Sequence, residues 1–214
     1  MGDLQQAKQY HEKALNIYTE KLGSNHVDVA TSYNNVGRVH QDLGDLQQAK
    51  QYHKKALNIR TEQLGSNHVD VATSYDNLGG VHRCLGDLEQ AKQYHEKVLN
   101  IRIEKLGSNH FKVATSYNNL GRVHQDLGDL QQAKQYHEKA LNIRTEQLGS
   151  NHVDLATSYK NLGNVHQDLE DLQQAKQYYE NALDIYTEQL SSDNVNVVHC
   201  RLRLEKLHSF ENQL

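Results

Sequence analysis

The stretch "NNVGRVHQDLGDLQQAKQYH" that begins at Asn34 recurs at Asn118 with a single change. Related copies begin at Asp76 and Lys160, so the chain repeats every 42 residues. This constrains the fold more than any other feature. A unit of that size cannot bury its apolar side alone, so each copy must pack on its neighbours in a stacked array.

Residues 68–109 show what one copy has to be. Val71, Ala72, Tyr75, Leu78, Gly79, His82 and Leu85 recur mostly at three and four, the signature of one helix face. Gly86 stops that helix and Asp87 caps the next. Leu88, Ala91, Tyr94, His95, Val98, Leu99, Ile101 and Leu106 give a second, broader stripe, which Gly107 ends. Ser108 and Asn109 are the expected N-caps of the following helix. The pattern predicts a helix of about 18 residues, a tight turn and a helix of about 20 residues per unit. No stretch alternates with period two long enough to predict a strand. The expected division is a lone second-type helix over 1–23, repeats over 24–65, 66–107, 108–149 and 150–191, and a capping helix over 192–214.

Composition narrows the class. Hydrophobic residues make up 36%, with one Met and no Trp, which suits thin stacked layers better than a thick core. Proline is absent, so nothing breaks a helix from within. A net charge of −4 without clustered basic residues argues against nucleic acid. No apolar run reaches the ~20 residues a bilayer requires, and no signal peptide is visible, so no membrane insertion is expected. Cys84 and Cys200 occupy unrelated registers. No disulfide is expected, and the reading is a reducing, cytoplasmic setting.

The repeated positions resemble the tetratricopeptide repeat. The first helix carries Tyr33, Val36, Gly37 and His40, and the second carries Ala49, His53 and Ala56. Tyr75, Leu78, Gly79, His82, Ala91, His95 and Val98 follow the same order. The 42-residue length, with "NNL" on the first helix and "ALNIRTEQLG" closing the second, is similar to the kinesin light chain and nephrocystin-like type. The resemblance implies an all-α fold, a right-handed α-solenoid of antiparallel helix pairs (the TPR superhelix), with the first helices lining a concave face. It also implies a non-enzymatic protein-interaction module, an adaptor or scaffold that takes an extended peptide of a partner. The ligand-facing positions fall on Asn34, Asn35 and Arg38; Asp76, Asn77 and Arg83; Asn118, Asn119 and Arg122; and Lys160, Asn161 and Asn164. An amide side chain both donates and accepts, so an Asn ladder can read the backbone of an extended chain. The arginines favour a mildly acidic partner.

Four further features carry expectations. Gly37, Gly79, Gly121 and Gly163 sit mid-helix, where Gly costs roughly 0.5–1 kcal/mol relative to Ala. Facing Ala49, Ala91, Ala133 and Ala175, they are expected to allow close helix approach. The 14 histidines form ladders that do not converge on a point, so no metal is expected, and no cofactor. The ladder at His40, His82, His124 and His166 is expected to be packed, half-buried and neutral. No nucleophile or phosphate-loop motif occurs, so no catalysis is expected. Residues 1–23 lack a preceding helix, which offers an alternative role as a structural self-assembly element forming a homo-oligomer. Residues 194–210 continue the first-helix register with Glu205 in place of the packing Gly, and read as a polar cap.

Overall fold

A computed structural model describes residues 2–149 and 151–211. The described residues form ten α-helices and no strand: α1 (Gly2–Leu22), α2 (Val27–Asp42), α3 (Leu46–Leu64), α4 (Val69–Cys84), α5 (Leu88–Leu106), α6 (Phe111–Asp126), α7 (Leu130–Leu148), α8 (Val153–Asp168), α9 (Leu172–Gln189) and α10 (Val195–Glu211). They divide into two compact units, 1–107 with α1–α5 and 108–214 with α6–α10.

Within each unit, even-numbered first-type helices alternate with odd-numbered second-type helices. First-type helices span 16 residues and second-type helices 19 in the internal repeats, each slightly shorter than the sequence suggests. The turn inside each pair is made by one residue at positive φ. Gly44, Gly86 and Gly128 take it at 82°, 78° and 81°, while Glu170 takes it at 62° in the fourth repeat. An aspartate then stands at the N-cap of the second helix, and in all pairs but that of Asp87 its carboxylate caps it, as where Asp45 Oδ1 accepts from the Gln48 amide at 3.3 Å.

The caps of the first-type helices differ from expectation. The capping side chain is the loop histidine: Nδ1 of His26, His68, His110 and His152 accepts the backbone amide two residues on, at 3.1–3.2 Å. The preceding asparagine instead reaches the next second-type helix. Asn25 donates to Glu62, Asn67 to Glu104, Asn109 to Glu146 and Asn151 to Glu188.

The mid-helix glycines also have another reason than expected. A Cβ on Gly37 would stand 2.7 Å from Cε1 of His53, and one on Gly121 would stand 2.6 Å from Cε1 of His137. In the fourth repeat the ring over Gly163 is Tyr179. The glycine receives a ring from the second helix, not the neighbouring alanine. Beside this, Tyr33 and Tyr52 lie 6.1 Å apart with the Lys55 ammonium over both rings, and the arrangement recurs at Tyr75, Tyr94 and Lys97.

The core is a string of small clusters. Val29, Ala30, Ala56 and Ile59 pack together, with Leu15 and Tyr33 at the margin. The last cluster brings Tyr179, Ala182 and Tyr186 onto Val197, Cys200, Leu204 and Leu207 of α10. The exposed side of α10 is mixed: Val195, Val198 and Leu202 stand there among Arg201, Glu205 and Lys206.

Candidate functional site

The sequence places the candidate ligand positions on the first-type helices, in a pair followed by a third polar residue: Arg38, Arg83, Arg122 or Asn164. The structure separates the members of each pair. Asn34 and Asn118 are buried, and their amides serve the stack. Asn34 Oδ1 lies 2.9 Å from His53 Nδ1, and its Nδ2 donates to Ser74 of α4 at 3.3 Å. Asn118 Oδ1 lies 3.1 Å from His137 Nδ1 and accepts from Asn161 Nδ2 at 2.6 Å. Asn161 is therefore buried too, unlike the other second asparagines.

Asp76 and Lys160 occupy the same register with charges. Asp76 stands 3.1 Å from His95 Nδ1 and accepts from Arg102 Nη2 at 2.8 Å. Burial pushes its carboxyl pKa up, but the hydrogen bond to His95 and the charge of Arg102 together hold it below the usual value. Lys160 donates to Asn196 of α10 at 2.7 Å. Burial depresses its ammonium pKa, and the nearby Arg122 depresses it further.

The remaining candidates stay toward the surface. Asn35, Asn77 and Asn119 are half-buried, Arg38 and Arg122 are exposed, and Arg83 is half-buried. Asn35 lines a cleft of about 290 Å³ with His11, Ala14, Tyr18, Asp28, Thr31 and Ser32. Asn164 lies 2.8 Å from the Tyr179 hydroxyl and 3.3 Å from His199 Nε2. The same hydroxyl is 3.0 Å from Gln167 Oε1, which also faces Arg203 Nη1 at 3.4 Å.

Further polar features lie beyond what sequence reasoning assigned. Arg60, placed by its register on a second-type helix, is buried and ties three helices together. It donates to Thr31 of α2 and to the Asp70 carbonyl and Ser74 hydroxyl of α4, all within 3.0–3.1 Å. Arg144 repeats the last two contacts in the second unit, reaching the Asp154 carbonyl at 2.9 Å and Ser158 at 2.7 Å on α8. Burial lowers the pKa of both guanidinium groups. The available signal was "NIR" at one register, replaced in α9 by Tyr186, which pairs with Thr157 at 3.0 Å.

The histidines also sort by environment. His40, His82, His124 and His166 are buried, each with Nδ1 at 2.9–3.2 Å from the aspartate at the N-cap of the next helix. His53 and His137 have no such anion. Burial first, and Arg38 second, pushes the His53 pKa down to about 4. Burial, Arg122 and Arg144 push His137 down to about 3. Among the described residues no group of three or more His, Cys, Asp or Glu could hold a metal ion. Among them too, no helix is long and apolar enough to cross a membrane.

Comparison with known proteins accords with this geometry. The family model described as "Tetratricopeptide repeat" matches at 1–62, 28–104, 70–146 and 112–188. No curated protein matches the chain in sequence. Among solved structures, BtubC (BKLC) from P. vanneervenii superposes with a TM-score of 0.79 at 20% identity, covering 96% of this chain and 83% of that one. A Podosopora anserina protein described as a putative kinesin light chain with nearly identical TPR-like repeats superposes at 0.71 with 26% identity, covering 89% and 90%. A point variant of that protein gives 0.73 with 24% identity, covering 87% and 88%. With the family model overlapping itself along most of the chain, and the ring-on-glycine helix pairs repeating beneath it, the chain belongs to the tetratricopeptide repeat family, of the kinesin light chain-like type.

Proposed function

We propose that the protein binds an extended, mildly acidic segment of a partner protein along the outward faces of its first-type helices. The family is a non-catalytic interaction fold, and that coarse role follows from membership. The finer reading rests on one observation. On α2 and α4 the residue that opens the pair, Asn34 or Asp76, is spent inside the stack, while Asn35 and Asn77 remain half-buried, Asn35 one turn before the exposed Arg38. In the second unit, Asn119 and Arg122 hold the same registers on α6.

An amide at such a position can donate to a ligand carbonyl and accept from a ligand amide. The flanking guanidinium groups favour carboxylate side chains by charge-assisted hydrogen bonding. An extended chain advances about 3.3 Å per residue against a helix spacing of roughly 10 Å, so about three ligand residues meet each repeat.

The test uses a partner captured from lysate, cut to its minimal segment and titrated against variants. Asn77→Ala combined with Asn119→Ala is expected to weaken binding by roughly tenfold, at on the order of 1 kcal/mol per hydrogen bond, with helicity unchanged. Arg122→Glu is expected to weaken acidic segments selectively. Unchanged affinity in the double variant, with loss in Lys54→Glu on the exposed side of α3, overturns the reading.

A further inference from the structure

Inside each unit, a second-type helix such as α3 is covered on one side by the first-type helix before it and on the other by the one after it. Among the described residues, α1 is covered by α2 alone, and α10 packs on α9 with no second-type helix on its other side. The exposures show the consequence. On α1, Ile17 is 51% exposed and Tyr18 44%, whereas their counterparts on α3, Ile59 and Arg60, are 8% and 6% exposed. Tyr10 and Leu22 extend the same face, and Ala14, Ile17, Tyr18, Lys21 and Leu22 line an open groove of about 380 Å³. On α10, Val198 is 39% exposed and Leu202 51%, whereas Ala30 and Asn34 at those registers of α2 are 0% and 7% exposed.

We propose that the occupant of each face is a second copy of this chain, with α10 of one molecule docking on α1 of another to complete a helix pair. The internal pairs supply the pattern. Ala30 packs on Ala56 and Ile59; Val198 holds the register of Ala30, and Ala14 and Ile17 hold those of Ala56 and Ile59. Tyr33 faces Tyr52; at those registers Arg201 meets Tyr10, a guanidinium over a ring. Gly37 receives His53; there Glu205 meets His11, a carboxylate against an imidazole. Glu205 is bulkier than glycine, so this pair stands farther apart than the internal ones.

The contact is heterologous, joining two different faces, so each copy can extend the assembly at either end. Each face offers only a few exposed large apolar side chains, against the roughly 20–30 residues a side of a standard interface, so association depends on concentration. The proposal does not depend on what the first-type helices bind.

Light scattering and sedimentation of the full chain over a wide concentration range test it, with Ile17→Glu blocking one face and Leu202→Glu the other. The wild-type mass is expected to climb past that of a dimer. Each variant alone is expected to stay monomeric, and their equimolar mixture to stop at a one-to-one dimer. A wild type that stays monomeric throughout overturns the proposal. So does a Leu202→Glu variant that associates by itself, which would mean α1 pairs with α1, or a mixture that remains monomeric. Far-ultraviolet circular dichroism checks helicity, and should either variant lose it, Tyr10→Glu and Val198→Glu carry the same test.

Discussion

Gly37 and Gly80 are chemically identical and sit on equivalent helices, yet their surroundings make opposite demands. A Cβ at Gly37 would press on the His53 ring at 2.7 Å, and the ring is buried with nowhere to go. A Cβ at Gly80 would meet only Gln41 Nε2, at 3.9 Å. Gly37→Ala is therefore expected to destabilise by about 1–3 kcal/mol through overpacking. Gly80→Ala is expected to stabilise by about 0.5–1 kcal/mol, because alanine restricts the unfolded chain and favours helix. Thermal melts of the two variants check this, and a Gly37→Ala variant as stable as wild type would refute the ring-on-glycine account. The sequence exposed the close approach, since four mid-helix glycines in one register need a reason. It did not expose the partner, because a ring at i+16 and an alanine at i+12 share the same helix face.

The helices themselves were legible almost to their ends, because apolar spacing and glycine stops repeat in every copy. What was hidden is how the ends are tied. A histidine is an unremarkable loop residue until its Nδ1 accepts from the amide two residues on, as His68 does from Asp70. Nothing in the sequence marks Arg60 as buried, because its partners are a backbone carbonyl and hydroxyls on other helices. No charge pattern announces such acceptors. One turn departs from its siblings: Glu170 holds a φ of 62° where Gly44, Gly86 and Gly128 stand elsewhere. A non-glycine residue in that region costs roughly 1–2 kcal/mol. Glu170→Gly is expected to stabilise the α8–α9 turn by about 1 kcal/mol, less the entropy glycine loses on folding. A fall in melting temperature on this substitution would contradict the strain argument.

Across the molecule, each unit contains a histidine that the fold keeps neutral, His53 in one and His137 in the other. Both have folded pKa values well below the ordinary 6.5, at about 4 and about 3. Below pH ~6.5 the unfolded chain takes up protons that the folded chain refuses, so stability falls as pH drops from there toward the folded values. The melting temperature is expected to be lower at pH ~5 than at pH ~7.5, with on the order of 1 kcal/mol or more lost per histidine. His53→Tyr with His137→Tyr, the residue type the fourth repeat uses at Tyr179, is expected to flatten that dependence. A wild-type melting temperature equal or higher at the acid pH would overturn it. The candidate site was only half legible at this scale. Sequence identifies which helix face carries Asn34 and Asn35, but only packing shows that the first is consumed by His53 and Ser74.

The asparagine register has one more consequence, for folding fidelity. Nearly identical segments in one chain invite docking on the wrong neighbour, a characteristic failure of repeat proteins. Here the junctions are keyed differently: Asn34 to Ser74, Asn161 to Asn118, Lys160 to Asn196, with Asp76 satisfied by Arg102. The registers of Ser74 and Asn161 carry the same residue type in every repeat, so discrimination falls on the charged members, Asp76 and Lys160, whose burial without a partner costs more than the about 1–3 kcal/mol of a neutral group. Lys160 discriminates through charge: at the register of Asn196 the other first-type helices carry Asp28, Asp70, Lys112 and Asp154, so docking on the surface of α6 would set its ammonium against that of Lys112. A few departures from perfect repetition thus act as error correction, telling otherwise interchangeable copies where in the row they belong.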